Sequence, residues 1–308
     1  MRVLVAGAGA TGGYFGGRLA EAGRHVTFLV RPRRAEELAA KGLSIISPKG
    51  DISLTPKVVT KDAIGAPYDV IILGVKAYSL DAVLKDLTPA IGPDTMILPL
   101  LNGMKHMDTI AAAFGPSALI GGLCSIAVTV DGEGRIVHMS PFHNMAYGEL
   151  SGASTERIQK LDAVMQNAGF DARLSAAIEQ EMWEKWTMLA TLAGVTCLMR
   201  GSIGDIVGAP RGLDFVNRFL DEVVAIAAAN GHAPRETQLK ATRALLTAEG
   251  STLAASMFRD LQKNAPVEAG EIIGDLLARG EHANVPAPLL AATYTHLSVY
   301  DCHRRTSS

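Results

Sequence analysis

The 308-residue chain has little of several residue types, and each scarcity excludes a class of protein. Its three cysteines, Cys124, Cys197 and Cys302, are scattered and odd in number, so they provide neither a disulfide framework nor the spacing of a metal site. The formal net charge of −2 gives no support for nucleic-acid binding. The longest uncharged apolar run of note, residues 186–199, has fourteen residues, whereas a membrane span needs roughly 18.

The N-terminus also lacks the charged and apolar segments of a leader before the first predicted strand, so we expect no signal peptide and a cytoplasmic protein. Hydrophobic residues are nevertheless abundant, at 48%, and charged residues make up 19%. A chain of this length and composition can form a large core and is long enough for two domains.

The first seventeen residues contain the most informative pattern. An apolar strand over residues 1–6 is followed at once by a glycine-rich turn and then by a helix to about residue 22; the turn consists of Gly7, Ala8, Gly9, Ala10, Thr11 and Gly12. In a dinucleotide-binding fingerprint, Gly7 would permit the tight turn, Gly9 would let the backbone approach a pyrophosphate, and Gly12 would let the helix pack on the strand. The free N–H groups of the helix start would bind the phosphates. The alternative is an α/β turn that binds nothing.

The end of the second predicted strand, residues 25–30, distinguishes between the two nicotinamide cofactors. An NAD site usually has Asp or Glu there, which binds the ribose 2′-hydroxyl. This chain has Arg31, Arg33 and Arg34 instead, and no acid before Glu36. Because a guanidinium matches the oxygens of a 2′-phosphate, the sequence predicts NADP(H), with Arg31 as the first choice. A solvated basic loop is the alternative.

Strands and helices alternate through the first half, with apolar runs such as residues 68–75 that suit a strand buried on both faces. Residues 52–59 are predicted as one strand. From residue 176 the pattern is helical, including predicted helices at 251–263 and 266–279. The sequence therefore predicts an α/β fold: a doubly wound Rossmann-type domain, 1–175, that binds NADP, then an all-helical substrate and dimerisation domain, 176–308.

Polar residues at the ends of two predicted buried strands are candidate ligands, because a doubly wound sheet binds its ligand at the carboxyl ends of its strands. Lys76 follows the strand at 68–75, and Asn102 follows the strand at 95–101. Either residue could instead be only a cap or a turn residue. In the helical half, Lys185 opens an apolar run without charge until Arg200, which makes it a candidate proton donor. Its alternative is a lysine whose head stays in water.

Five segments of the chain together match one family in order and spacing. They are Gly-Ala-Gly-Ala-Thr-Gly-Gly at 7–13, Lys-Ala-Tyr at 76–78, Leu-Asn-Gly-Met at 101–104, Trp-Glu-Lys at 183–185, and Ser-Met-Phe-Arg-Asp at 256–260, with Glu268 twelve residues after the serine. With these segments the chain resembles the ketopantoate reductase family (2-dehydropantoate 2-reductase) along essentially its whole length.

The resemblance implies NADPH-dependent reduction of 2-dehydropantoate (ketopantoate) to pantoate, a step of pantothenate biosynthesis. It implies that Lys185 donates the proton and that Asn102 and Lys76 contact cofactor and substrate. It further implies that Ser256 binds substrate and that Glu268 lies near the cofactor ribose and the catalytic lysine. A backbone contact to the cofactor is expected at Ala127. The implied partner is a small 2-oxo acid, with no metal, nucleic acid or membrane, and a homodimer is possible.

The chain departs from the family at three positions. Members often carry asparagine four and eight residues after the lysine, where this chain has Leu189 and Ala193, and a third common asparagine falls on Ile203. Loss of hydrogen-bonding groups from a site built to use them changes specificity strongly. A different 2-oxo acid is therefore an alternative substrate, and a non-catalytic NADP(H)-binding sensor is an alternative of another class.

Overall fold

A computed structural model describes residues 1–306 of the chain. It divides the chain into two compact units, the first of Met1–Leu101 with His106–Glu179 and the second of Asn102–Lys105 with the chain from Gln180 onward. The first unit contains a parallel sheet and the second is helical, so the predicted fold class is confirmed. The functions predicted for residues 1–175 and 176–308 stay predictions.

The described residues of the first unit form twelve strands and five α-helices. The strands are β1 (Arg2–Ala6), β2 (His25–Leu29), β3 (Leu43–Ile46), β4 (Ile52–Leu54), β5 (Val58–Val59), β6 (Val70–Leu73), β7 (Met96–Pro99), β8 (Gly121–Ser125), β9 (Val128–Val130), β10 (Ile136–His138), β11 (Asn144–Gly148) and β12 (Asp171–Leu174). The helices are α1 (Ala10–Glu21), α2 (Pro32–Lys41), α3 (Leu80–Leu87), α4 (Lys105–Phe114) and α5 (Glu156–Met165).

The main sheet has five parallel strands in the order β5-β2-β1-β6-β7, so β1 lies in its centre. Val5 of β1 is paired with Phe28 on one side and Ile72 on the other, and all three are fully buried. Every residue of β6 is buried as well, as expected for a central parallel strand with both faces covered. The strand order reverses between β1 and β6, which is where sheets of this kind bind their ligands.

Helix α1 lies unusually close to its neighbours because it is rich in glycine. A Cβ atom on Gly16 would stand 2.7 Å from the Phe28 ring, and one on Gly17 would stand 2.7 Å from the Ile45 side chain. Glycine lowers helix propensity, by roughly 1 kcal/mol per residue relative to alanine. The close packing therefore accounts for a composition that local helix preference disfavours.

The single strand predicted over residues 52–59 is wrong, because the segment contributes to two different sheets. Its first part, β4, pairs antiparallel with β3, whereas β5 pairs parallel with β2 in the main sheet. Pro56 lies between them and cannot donate a ladder hydrogen bond. The strands after residue 120 also leave the main sheet: β8 and β12 flank β11, and β10 pairs with β3 and β9.

A buried polar network joins α1 to β10 and the loop that follows it. The Tyr14 hydroxyl lies 2.7 Å from Nδ1 of His143 and 3.3 Å from Nδ1 of His138. Nδ1 of His138 is also 2.8 Å from the Ser47 hydroxyl, and its Nε2 is 3.1 Å from the Ser140 hydroxyl. The two imidazoles stack with ring centroids 5.6 Å apart. Each ring is therefore held through hydrogen bonds to neutral hydroxyl groups.

This network predicts a loss of stability in mild acid. Burial lowers the pKa of His143 below its usual value of about 6.5. The unfolded chain therefore binds a proton at higher pH than the folded chain does, and folding stability falls as the pH drops below about 6.5. The thermal unfolding midpoint, measured between pH 8 and pH 5.5, should decrease as the pH drops below about 6.5. The slope should be shallower in His143→Gln, and an unchanged slope in that variant would contradict the assignment.

The described part of the second unit contains seven α-helices and one π-helical turn, Gly270–Gly274. The helices are α6 (Ile178–Met199), α7 (Ile203–Gly208), α8 (Gly212–Ala229), α9 (Glu236–Leu246), α10 (Ser256–Gln262), α11 (Asp275–His282) and α12 (Pro288–Thr306). Across residues 1–306, none of the helices has the length and apolar character that crossing a membrane requires. Cys124 and Cys197 are both buried.

The helix predicted over residues 251–263 begins only at Ser256. The preceding segment is extended because its carbonyls accept backbone hydrogen bonds from the start of α7: Ile203 N–H donates to Leu253 and Gly204 N–H donates to Ser251. Helix α7 itself was not predicted from the sequence. It starts at a capping box in which the Ser202 side chain accepts from the backbone of Asp205 while the Asp205 carboxylate accepts from the backbone of Ser202.

Candidate functional site

The glycine turn after β1 has the backbone that its sequence predicts. Gly7 has a φ of +96°, in the region that favours glycine, and its N–H donates to the Leu29 carbonyl at 3.1 Å. A Cβ atom on Gly7 would stand 2.8 Å from the Val75 side chain. The turn therefore requires glycine both for its conformation and for its contact with the chain that follows β6.

The space beside the N-terminus of α1 is open. Gly9 immediately precedes the helix, its carbonyl accepts the Gly13 N–H at 2.8 Å, and no side chain caps the helix end. A Cβ atom on Gly9 would meet nothing within 4 Å, so glycine is not needed there for packing within the protein. Ala8 is buried, while Ala10 and Thr11 are half-buried in the first turn. The arrangement fits a pyrophosphate held by backbone N–H groups at a helix start.

Gly12 holds α1 against the end of β6. A Cβ atom on Gly12 would stand 2.3 Å from the Gly7 carbonyl oxygen, and one on Gly74 would stand 2.5 Å from the Gly12 Cα. Gly74 is therefore a partner of the glycine turn that sequence reasoning missed. The available signal was a glycine inside the apolar run 68–75, since glycine in a strand often marks a close approach of another backbone.

The arginines after β2 differ in what they bind. Arg33 and Arg34 both form ion pairs with Glu37, at 3.2 and 3.1 Å, and Arg34 also donates to the Gly134 carbonyl. These contacts lower the pKa of Glu37, first of all through its hydrogen bond with Arg34. Arg31 is exposed and precedes α2 as its N-cap residue. Among residues 1–306 no hydrogen bond or ion pair engages the Arg31 side chain, so its guanidinium is available to a ligand.

Two further predicted cofactor residues lie on connections of the first unit. Lys76 is exposed, three residues beyond the end of β6, and its carbonyl accepts the Ser79 N–H at 2.9 Å. Ala127 lies between β8 and β9; its N–H donates to the Ser140 hydroxyl at 3.0 Å, and its carbonyl accepts the Met139 N–H at 2.8 Å. A ligand contact to the Ala127 backbone would therefore use the second lone pair of that carbonyl.

In the second unit, α6 carries Lys185 between two buried tryptophans. Trp183 and Trp186 are 3% and 1% exposed, whereas Lys185 is half-buried. The Trp186 indole N–H donates to the Ile272 carbonyl at 2.9 Å. Because Ile272 belongs to the π-helical turn, this bond ties the residue next to Lys185 to the segment that carries Glu268 and Glu271.

The single helix predicted over residues 266–279 is not observed: residues 266–268 are not helical, and the π-helical turn comes before α11. Turns of this type insert an extra residue into a helix and occur frequently at functional sites. Glu268 is half-buried just before the turn, and its carbonyl accepts the Ile272 N–H at 3.1 Å; Glu271 is half-buried within the turn. Both acids are thereby held on a backbone segment fixed to α6 through Trp186.

The Asn102-Gly103 segment packs on the same turn. Gly103 has a φ of +81°, and a Cβ atom there would stand 2.5 Å from the Glu271 carbonyl oxygen and 3.8 Å from the Trp186 indole nitrogen. Asn102 is half-buried beside it. Through these backbone contacts the structure brings together the segments that carry Asn102, Lys185 and Glu268, which lie far apart in the sequence.

Ser256 is the exposed first residue of α10 in the second unit. Its predicted contact with substrate stays a prediction.

Two residues that the sequence did not reveal as partners, His232 and Arg279, pack on the tryptophans of α6. His232 stacks on Trp183 with ring centroids 4.9 Å apart. The Arg279 guanidinium lies 5.7 Å from the centroid of each tryptophan ring and donates to Asp275 at 3.1 Å. Because no local pattern links these positions, only the packing of the helices reveals that they support the helix of Lys185.

On another side, α6 is anchored by Glu184. Its carboxylate accepts from the Arg235 backbone N–H at 2.9 Å and from the Arg235 guanidinium at 2.8 Å, and Gln180 donates to it as well. Burial alone would raise the pKa of Glu184, but these hydrogen bonds outweigh it and the pKa is lowered. The neighbour of Lys185 in the sequence is therefore a structural acid engaged in an ion pair.

Comparison with known proteins bears on both units. A family model described as ketopantoate reductase PanE/ApbA matches residues 3–152, and the model of its C-terminal domain matches residues 177–301. An uncharacterized oxidoreductase, YkpB, of Bacillus subtilis is 34% identical over 99% of this chain and 100% of its own length. A 2-dehydropantoate 2-reductase of a Nostoc species is 26% identical over 99% and 97%.

A solved structure of a family member has a similar fold. The crystal structure of a 2-dehydropantoate 2-reductase from Methylococcus capsulatus matches with a TM-score of 0.86 and 28% sequence identity. The match covers 99% of this chain and 98% of that chain.

Proposed function

The chain belongs to the ketopantoate reductase family of oxidoreductases, and from this premise we propose that it catalyses the NADPH-dependent reduction of a 2-oxo acid to the 2-hydroxy acid. The observation that carries the proposal is the convergence at the Trp186 indole. Its bond to the Ile272 carbonyl and its proximity to Gly103 bring the segments of Lys185, Glu268 and Asn102 to one place.

The cofactor proposal is supported by the glycine turn and by Arg31. The turn leaves open space at Gly9, beside backbone N–H groups that suit a pyrophosphate. The guanidinium of Arg31 is exposed, and its donors match the oxygens of a 2′-phosphate. We therefore propose that the first unit binds NADP(H), with Lys76 and Ala127 as further contacts to the cofactor.

In the proposed reaction, bound NADPH supplies the hydride that reduces the ketone carbon. Negative charge then develops on the ketone oxygen, where the Lys185 ammonium stabilises it and delivers the proton. Asn102 orients the ketone through its amide, and Glu268 positions the ammonium of Lys185. Ser256 contributes a hydroxyl to substrate binding. Only interactions that strengthen in the transition state accelerate the step. Loss of Lys185 should therefore lower kcat more than loss of any other residue of the proposed site.

Two substrates are candidates. Ketopantoate, with pantoate as product, follows from the family that the chain belongs to, and it would place the enzyme in pantothenate biosynthesis. A different 2-oxo acid is favoured by the apolar side chain of Leu189, which lies one helical turn from Lys185 and cannot bind a substrate hydroxyl. A cytoplasmic location and assembly as a homodimer stay predictions.

The experiment that tests the proposal is loss of NADPH absorbance with the purified protein and a panel of 2-oxo acids that includes ketopantoate. Turnover with at least one of them supports a reductase. Tight NADPH binding without turnover of any 2-oxo acid would contradict the proposal and favour a cofactor-binding sensor.

Cofactor choice gives a separate prediction for Arg31→Ala. Removal of one charge-assisted hydrogen bond to the 2′-phosphate should weaken NADPH binding about tenfold and leave NADH binding unchanged. Dissociation constants for both cofactors, measured by fluorescence titration, check this result. Arg33→Ala is the matched control, because the Arg33 side chain is 92% exposed and pairs with Glu37. If Arg31→Ala weakened the binding of NADPH and NADH by the same factor, Arg31 would not bind the 2′-phosphate.

A further inference from the structure

The face of α6 that carries Lys185 continues as an apolar surface. Met188 and Leu189 follow at the third and fourth positions after Lys185, so they lie on its side of the helix. All three side chains are half-buried, whereas most of the helix is buried around them. Side chains of a helix lean toward its N-terminus, so Leu189 covers the turn that begins at Lys185. A molecule held at the Lys185 ammonium therefore meets Met188 and Leu189.

The other two positions at which this chain departs from the family also offer no polar group to such a molecule. Ala193 is 3% exposed and has no polar side chain, and Ile203 is fully buried. Thr191 is also fully buried, and its hydroxyl is used in a hydrogen bond to the Thr187 carbonyl at 2.9 Å. Leu189 is therefore the residue at which this face of α6 distinguishes between polar and apolar substrate groups.

The charge on a 2-oxo acid fixes which of its parts can lie on this surface. Burying a carboxylate against Met188 and Leu189 would cost far more than burying an alkyl group, because neither side chain can replace the water that the carboxylate loses. With the ketone oxygen at Lys185, the side chain of the acid is thus the part that packs on Leu189. A hydroxyl on that side chain would lose water without gaining a hydrogen bond from Met188 or Leu189.

We propose that the substrate is a 2-oxo acid with an apolar side chain, which packs on Met188 and Leu189, and that Leu189 determines this specificity. The proposal rests on the proposed reductase function and narrows its substrate class. Apolar surface removed from water stabilises the complex, whereas an unpaired hydroxyl opposes it.

One pair of substrates isolates the determinant. Ketopantoate and 3,3-dimethyl-2-oxobutanoate have the same carbon skeleton and differ by a single terminal hydroxyl. We expect kcat/KM with NADPH to favour the compound without the hydroxyl by about tenfold or more, which is the effect of burying a hydroxyl without a partner. A preference for ketopantoate by the same factor would overturn the proposal while leaving the reductase function intact.

The variant Leu189→Asn tests the residue itself. It adds hydrogen-bonding groups at the same position, so the ratio of the two kcat/KM values should move toward ketopantoate by at least about tenfold. Leu245→Asn is the matched control, because Leu245 is 45% exposed on α9, and its ratio should equal that of the unaltered protein. The thermal unfolding midpoint verifies that both variants are folded.

The outcomes distinguish failure of the specificity proposal from failure of the proposed function. If Leu189→Asn is folded and reduces both compounds in the original ratio, Leu189 is not the determinant and the proposal fails. If the unaltered protein oxidises NADPH with neither compound nor with any other 2-oxo acid, the proposed function itself fails. Turnover of 3,3-dimethyl-2-oxobutanoate combined with a shifted ratio in the variant supports both.

Discussion

Replacing Lys185 by alanine should lower kcat by between about 10²- and 10⁴-fold, the range expected for loss of a positioned general acid. The interaction of the ammonium with the ketone oxygen strengthens as negative charge develops there, so the loss falls on the chemical step. Cofactor binding should be unchanged, because the glycine turn and Arg31 lie in the first unit. Steady-state kinetics with saturating NADPH and a turned-over 2-oxo acid measure the effect.

Lys240→Ala serves as the control for charge removal in the same unit. Lys240 is exposed on α9, where it pairs with Glu236 on the helix surface, and its loss should leave kcat unchanged. If kcat of Lys185→Ala stayed within a few-fold of that of the unaltered protein, Lys185 would not be the proton donor. Glu268→Gln provides a second test, because a positioning residue should lower kcat less than Lys185→Ala does.

Two glycine substitutions in the turn should separate folding from cofactor binding. A Cβ atom on Gly12 would stand 2.3 Å from the Gly7 carbonyl oxygen, so Gly12→Ala forces α1 away from the turn that follows β1. Overpacking of this kind costs about 3 kcal/mol, which lowers the unfolding midpoint by roughly 6–10 °C. Gly9→Ala places its Cβ in open space, so stability should stay the same while NADPH affinity falls about tenfold or more.

Thermal unfolding and NADPH titration on the same samples check both expectations. Gly65→Ala is the control in the same unit, because a Cβ atom there also meets nothing within 4 Å. Unaltered NADPH affinity in Gly9→Ala would show that the open space beside α1 does not receive the pyrophosphate. An unchanged midpoint in Gly12→Ala would show that α1 can shift without cost.

Much of the first unit was predictable because its signals are local. The turn from Gly7 to Gly12 lies between an apolar strand and a helix, and β6 is a continuous apolar run, so both could be assigned from neighbouring residues alone. Helix α7 had an equally local signal, the Ser202 and Asp205 capping box, which was overlooked. The break in 52–59 was also marked in the sequence, by Pro56.

The π-helical turn and the late start of α10 could not be predicted in this way. The turn is fixed by the Trp186 indole, 86 positions before the carbonyl that it binds. The extended segment before Ser256 is held by hydrogen bonds from the start of α7. In both places the partner that decides the conformation is distant in sequence, so local helix preference gives the wrong boundary. The convergence of the segments that carry Asn102, Lys185 and Glu268 also arises from tertiary packing, so the family resemblance implied it whereas no local pattern did.

The two tryptophans have a practical consequence for spectroscopy. The sequence contains only Trp183 and Trp186, so all indole emission comes from the helix that carries Lys185. The Trp186 indole donates a hydrogen bond to the π-helical turn, and both rings face the Arg279 guanidinium. A ligand that shifts this turn should change the emission wavelength or quantum yield of these two indoles. The protein thus carries an intrinsic reporter beside its proposed proton donor, and substrate binding can be followed without an added dye.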